Sequence, residues 1–354
     1  MKIQNNLRYG YTTGTCAAAA TKAALYMLIN QKPVSLVEIQ TPSNFDLLLN
    51  VDFPFFNKDY SECAVRKDAG DDPDVTNGLY IFSKVEFISE KTIEIFGSEG
   101  VGIVTKKGLS VPVGDYAINP VPKQMIEREI ERILKNYDLE NGVRVTLSIP
   151  KGEVIAKNTL NPKLGIKGGL SILGTTGIVK PISHEAFENS LRIEISQLSH
   201  YSETIVLTPG NTGMKKALEY GFSNENIVIF GNSLSVALEV IKYNNFNQVY
   251  LIGELGKLIK VAGGIFNTHS KVADARKEIF VYYLMLFCKG NLQYELIQKL
   301  TNAVTTKEML QILREYNIDT TKFLNFLENI IIDRVREYLD KDIKVHVKVF
   351  SEGD

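Results

Sequence analysis

Residues 204–213 read Thr204-Ile205-Val206-Leu207-Thr208-Pro209-Gly210-Asn211-Thr212-Gly213, and this stretch decides the fold of the second half. Residues 204–207 form a short run of β-branched and aliphatic side chains, which reads as a strand. Pro209 and the glycines stop it and open a loop over 209–213. A helix begins at 214–220. Working outward, 227–230 is a second strand, 234–242 a second helix and 249–252 a third strand. A β-loop-α-β-α-β order calls for parallel strands joined by right-handed crossovers, so a Rossmann-like parallel sheet with helices is expected. Ligands bind such a sheet beyond the carboxyl ends of its strands. Helices follow at 273–287, 292–302, 307–316 and 321–339, and a last strand at 344–350 is placed on the sheet edge.

Upstream the texture changes. Residues 34–41, 46–51, 79–89 and 91–96 carry β-branched and aromatic residues between turn formers such as Thr41-Pro42-Ser43-Asn44, so they read as strands. Residues 125–137 place Ile126, Ile130, Ile133 and Leu134 on one helical face. Residues 143–149 alternate as a strand closed by Pro150, and a helix at 183–198 leads to the junction. The first half is therefore expected to be a mixed α+β domain over 1–200, and the second an α/β domain over 201–354. A chain of 354 residues is long enough for two such cores.

The first helix has an unusual start. Leu7-Arg8-Tyr9-Gly10-Tyr11-Thr12-Thr13-Gly14-Thr15-Cys16 runs directly into Ala17 to Ala20. Alanine propagates a helix well, here to about residue 30. Thr and Gly suit a helix N-terminus, where side-chain oxygens satisfy orphan N–H groups. Two readings stay open for Thr12 to Thr15: a simple cap made by Thr13 or Thr15, or a helix mouth that attracts an anion.

Composition excludes several classes. Formal net charge is −1, so no bulk basic field invites nucleic acid, and an acidic ligand needs a local patch. No apolar run approaches the ~20 residues that span a bilayer, and residues 1–6 lack the apolar stretch of a leader peptide. Cys16, Cys63 and Cys288 are odd in number and scattered, which argues for reduced thiols in the cytoplasm and against structural zinc.

Five segments are candidates for chemistry. Gly210-Asn211-Thr212-Gly213 stands where a nucleotide loop belongs, but it lacks GxGxxG spacing, and a tight βα turn reads as well. Glu254 ends the third strand and Asn232 the second, and either side chain reaches a ribose hydroxyl; an acid suits that job because it accepts two hydrogen bonds. Asp68, Asp71, Asp72 and Asp74 cluster beside Arg66 and Lys67. They read as solvated turn acids, or as acid/base groups whose repulsion raises one pKa; no metal site is assigned, because the spacing is not that of an EF-hand. Gly168-Gly169 and Gly174-Thr175-Thr176-Gly177 flank an apolar run, which suits a glycine-rich hairpin or backbone packed on something flat. Lys257 and Lys260 share a helical face on the ligand side of the sheet, as a solvated face or an anion contact, and His269, one of four histidines, reads as a hydrogen-bonded structural residue or a proton acceptor.

Taken together the segments resemble a known family. Residues 7–16 are similar to the opening motif of the CbiD family, the cobalt-precorrin-5B C1-methyltransferases of anaerobic cobalamin biosynthesis. The resemblance extends, in order, to Val65-Arg66-Lys67-Asp68-Ala69-Gly70-Asp71-Asp72-Pro73-Asp74-Val75-Thr76, to Gly100-Val101-Gly102-Ile103-Val104-Thr105 with Asn119-Pro120-Val121-Pro122, to the glycine segment 168–179, and to 256–270. It implies methyl transfer from S-adenosylmethionine to C1 of a cobalt-containing tetrapyrrole. By their place at the strand ends rather than by the resemblance, Gly210, Asn211, Thr212 and Gly213, with Glu254, are expected as donor contacts; the family carries His where Glu254 stands. Arg8, Thr12, Thr13, Gly14, Thr15, Arg66, Lys67, Lys257 and Lys260 become candidates for the substrate's carboxylates, and Asp68, Asp72 or His269 for a base. Residues 66–74 are expected to line a cleft facing the donor. A second copy of the chain is kept open as a partner.

Two rivals differ in class. A nucleotide-dependent enzyme such as a dehydrogenase would want GxGxxG with an acid about 20 residues on. A non-catalytic tetrapyrrole carrier would not need a glycine loop on a parallel sheet.

Overall fold

The computed structural model describes residues 3, 4 and 7–351. The reading of a missing leader falls on residues 1–6, of which 1, 2, 5 and 6 lie outside the described residues. The chain divides into two compact units, 1–183 and 184–354. The helix expected to lead to the junction belongs to the second unit, so the division falls before the expected break at 200.

The first unit is built on helix α1, Thr13–Asn30, and a five-stranded sheet. Its strands are β1 Asp52–Phe56, β2 Tyr60–Arg66, β3 Tyr80–Ile88, β4 Ile93–Gly97 and β5 Gly142–Ser148. Their spatial order is β1-β2-β3-β5-β4, antiparallel throughout except for the parallel β5–β4 pair. The alanines of α1 explain its place. Ala17 to Ala20, Ala23 and Ala24 are fully buried. Without bulky side chains the helix backbone comes within reach of the sheet: the Ser61 hydroxyl donates to the Ala24 carbonyl at 2.5 Å, and the Cys63 thiol to the Ala20 carbonyl at 3.2 Å. Helix α2, Pro120–Asn136, packs beside α1 with Met125, Ile126, Ile130 and Ile133 buried. β1 and β2 were not expected as strands. Pro54 lowers the strand signal of β1, and an edge strand is where proline is tolerated. The glycine segment is no hairpin: Gly169–Leu170 pairs in parallel with Gly100–Val101.

The second unit has α3 His184–Leu198, β6 Thr204–Thr208, α4 Asn211–Glu219, β7 Ile227–Ile229, α5 Leu234–Lys242, β8 Gln248–Glu254 and α6 Leu255–Ala262. Then come α7 Arg276–Phe287, α8 Tyr294–Asn302, α9 Thr306–Glu315, α10 Thr320–Leu339 and β9 Lys344–Phe350. The four strands form one all-parallel sheet in the order β7-β6-β8-β9. Ile205 and Leu207 face one core with Phe280, Phe323 and Ile331, while Val206 faces another with Ala217 and Phe350. Burial of both faces is why β6 reads as a continuous apolar run rather than an alternating one. Among the described residues no helix is long and apolar enough to cross a membrane.

Candidate functional site

The amino terminus of α1 is closed to an anion. Thr12, rather than Thr13 or Thr15, is the cap, and its hydroxyl accepts from the Thr15 N–H at 3.2 Å. The Gly14 N–H donates to the Leu173 carbonyl at 3.0 Å, and the Thr15 hydroxyl to the Gly177 carbonyl at 2.7 Å. The Thr13 hydroxyl sits among the Ser171 carbonyl, the Leu173 carbonyl and the Leu173 N–H. Thr12, Thr13, Gly14 and Thr15 are all buried. The expected substrate contacts at these four residues are thus corrected: the Thr12 hydroxyl is engaged by Thr15, and carbonyls of 171–177 take the Thr12 and Gly14 N–H groups and the Thr13 and Thr15 hydroxyls.

The acidic segment is a fastening. Residues 67–79 connect β2 to β3 and clasp the strand before α1. Arg8 donates to Asp68 through both terminal guanidinium nitrogens, with Nη2 at 2.8 Å from Oδ1. Asp71 accepts from the Arg8 N–H at 2.6 Å, and Asp72 from the Ile182 N–H at 3.0 Å. Gly70 has φ 67°, and a side chain there would meet the Arg8 carbonyl at 2.2 Å, so only glycine permits the approach. Buried Lys67 donates to Asp74 at 2.7 Å. The hydrogen bonds from Arg8 hold the Asp68 carboxyl below the usual range. Burial pushes Asp74 up, but the Lys67 charge and bonds from Lys67 and Thr76 outweigh it, and its value ends lowered. In both carboxyls the neighbouring cations and hydrogen bonds outweigh the repulsion that would raise one of them. Arg8 and Lys67 are spent on these acids rather than free for a substrate.

One cation of the segment stays free. Arg66 ends β2, is exposed, and carries no ion pair among the described residues. Its guanidinium lies over Gly78. Beside it opens a cavity of about 480 Å³ lined by Tyr11, Asn50, Asp52, Arg66, Lys67, Asp68, Asn77, Gly78 and Tyr80. The Tyr11 hydroxyl donates to the Arg66 carbonyl at 2.8 Å, and burial pushes that phenol up. Asp52 is half-buried here, and among the described residues no side-chain hydrogen bond or ion pair engages it. Sequence reasoning missed Asp52, Asn50 and Tyr80, because they reach the cavity only through the pairing of Asp52 with Ala64 and of Arg66 with Tyr80.

In the second unit, Gly210 and Gly213 differ. Gly210 caps α4 in extended backbone, and a side chain there would meet nothing within 4 Å. Asn211, Thr212 and Gly213 form the first turn of α4 rather than a loop. A Cβ on Gly213 would sit 3.0 Å from the Ile252 carbonyl, so this glycine serves helix–strand packing. Thr208, at the carboxyl end of β6, buries its hydroxyl oxygen with no partner among the described residues. Glu254 ends β8 half-buried and makes no capping bond to α6. Lys257 donates to the Asn232 side chain at 2.6 Å. Lys260 is 2% exposed and donates to the carbonyls of Thr268 at 3.1 Å and Ala273 at 2.8 Å; burial lowers its pKa. Lys260 is a structural cation, which corrects its assignment to the substrate. His269 is half-buried, and its Nδ1 accepts from the Lys271 N–H at 3.1 Å.

A unit with an antiparallel-rich sheet and a polar cavity, followed by a unit on a four-stranded parallel sheet, defines a two-unit mixed α/β protein. Comparison with known proteins makes the class specific. A family model described as CbiD matches residues 1–181, and one described as CbiD, C-terminal domain, matches 267–354. The chain is 43% identical over 352 residues to a Thermoanaerobacter sp. (strain X514) protein named cobalt-precorrin-5B C(1)-methyltransferase, covering 99% of this chain and 94% of that one. It is 44% identical to a protein of the same name from Thermosipho africanus (strain TCF52B), covering 99% and 96%. The crystal structure of the cobalamin biosynthesis protein cbiD from Archaeoglobus fulgidus is 31% identical, covers 76% of this chain and 84% of that one, and superimposes with a TM-score of 0.41. The chain belongs to the CbiD family.

Proposed function

We propose that the protein is a cobalt-precorrin-5B C1-methyltransferase. It moves the methyl group of S-adenosylmethionine to C1 of cobalt-precorrin-5B, giving cobalt-precorrin-6A in the anaerobic, early-cobalt route to cobalamin. The observation that carries this reading is identity above 40% along nearly the whole chain with proteins of that name.

The chemistry fits the residues. S-adenosylmethionine supplies a methyl group already activated on a positively charged sulfur. The acceptor is a ring carbon, so no protein nucleophile is required, and alignment of the two partners is worth up to ~7–11 kcal/mol. The second unit, read as Rossmann-like, takes the donor at the carboxyl ends of its strands. Gly210 leaves open space for it, the orphan Thr208 hydroxyl suits a polar group, and Glu254 suits ribose hydroxyls. The first unit takes the macrocycle, with Arg66 as its free cation and Asp52 as the unengaged carboxylate for a proton. Asp72 and His269 remain further candidates for that proton. Free buried thiols at Cys16 and Cys63 suit a cytoplasmic enzyme.

Calorimetric titration with S-adenosylhomocysteine tests the reading. The methyltransferase binds it, and Gly210→Val weakens that binding in a folded protein. Binding of a nicotinamide dinucleotide instead would make the protein a dehydrogenase-like enzyme, and binding of a corrin without S-adenosylhomocysteine would make it a carrier.

A further inference from the structure

The outer face of the first sheet carries an aromatic cluster of Phe53, Tyr80 and Phe82. Phe53 is 57% exposed. Its ring stands edge-on to Tyr80 at 5.0 Å between centroids and stacks on Phe82 at 5.6 Å with 20° between planes. Tyr80 and Phe82 are half-buried on β3 and point to the side opposite Ile81 and Ser83, which face α1. The pairing of β1 with β2 shifts between Asp52 and Phe55, a bulge that holds Phe53 at φ 54°. Bulges re-aim side chains, and a bulky residue held in the left-handed region is strained. Here the strain keeps a large apolar ring in solvent, lying on two others. Tyr80 also lines the cavity that holds Arg66.

We infer that this face seats the flat macrocycle, with the exposed Phe53 ring against it, Tyr80 and Phe82 bracing Phe53 from beneath, and Arg66 on a rim carboxylate. The inference rests on the methyltransferase reading for its choice of ligand. Charge complementarity supports it, because Arg66 is unpaired and planar, and it meets a carboxylate through two parallel bonds. Size supports it too. A cavity of about 480 Å³ is too small to enclose a corrin, so it receives an edge while the face lies on the rings outside. Aromatic faces hold planar systems without enclosing them.

The test is equilibrium dialysis of the full chain against cobyrinic acid, a stable cobalt corrin with free carboxylates, and against its amidated form. Corrin absorbance reads binding, at low and high salt. Phe53→Ala should raise Kd roughly tenfold for both corrins, and Phe53→Tyr should restore it. Arg66→Gln should raise Kd roughly tenfold for the acid alone and flatten its salt dependence. Both side chains are exposed, and matched melting temperatures exclude misfolding. Equal affinity of wild type and variants would overturn the platform and leave the methyltransferase reading intact. Failure of wild type to bind either corrin while binding S-adenosylhomocysteine would also overturn it. Failure to bind any of the three would sink both. A change in sedimentation of Phe53→Ala without a change in corrin affinity would make this face a contact between copies of the chain, against the proposal.

Discussion

Gly210 and Gly213 lie one helical turn apart and answer to different neighbours. A side chain on Gly213 presses on the Ile252 carbonyl and on Thr208, while one on Gly210 meets open space. Gly213→Val should therefore lower stability by about 1–3 kcal/mol, as overpacking does, read as a fall in the urea midpoint. Gly210→Val should lower that midpoint less, since it crowds nothing and only replaces glycine at the helix cap. From the sequence the two glycines look alike, since crowding by β8 is a contact between segments some forty residues apart. At Asp68 the electrostatics set a pH window. Its native value lies below the ordinary 3.8, so the Arg8 pairing contributes fully above that value and is lost as pH falls through the native one. The stability difference between wild type and Asp68→Asn should stay constant from neutral pH to about 4 and shrink below it. A difference that instead grew in acid would refute the lowered carboxyl. Burial raises Cys16 and Cys63 to about 12. Iodoacetamide should label Cys288 first, and the other two only on unfolding.

Elements show why some of the structure was legible and some was not. Helices α5 and α10 emerge near their expected bounds because apolar residues repeat on one face and turn residues bracket them, whereas α2 starts five residues before its expected 125, with prolines at 120 and 122 in its first turn. The parallel sheet was readable from its alternation of apolar strands and helices, including the edge strand β9. β1 and β2 were hidden by Pro54 and by the polar turn at 57–59. The closure of α1 was hidden differently: its first turn is satisfied by carbonyls about 160 residues away, and no local pattern announces such a partner. The same holds for Lys260, which reads as a surface lysine until the loop 264–275 folds over it. Lys260→Met should leave two carbonyls without a donor and lower stability by about 1–3 kcal/mol. Proteolysis should then cut that loop, which carries His269, faster than in wild type. Unchanged cutting would show that the loop is held by other contacts.

At the scale of the molecule, the family resemblance was legible because its motifs mark folding necessities as well as chemistry. Residues 7–16 and 65–76 are tied together through Arg8, Asp68 and Gly70, and 168–177 seals the first turn of α1. The candidate site was legible only in part. Arg66 was named from its composition, whereas Asp52, Tyr80 and Phe53 needed strand register. Methyl transfer to a ring carbon of a cobalt macrocycle is checked most directly by incubating the full chain with cobalt-precorrin-5B and S-adenosylmethionine carrying a labelled methyl group, then reading products by mass spectrometry and carbon NMR. The expected product carries one labelled methyl per macrocycle, attached at C1, with an equal amount of S-adenosylhomocysteine. Intact donor and unmethylated macrocycle, with folded protein that has bound both, would contradict this transfer.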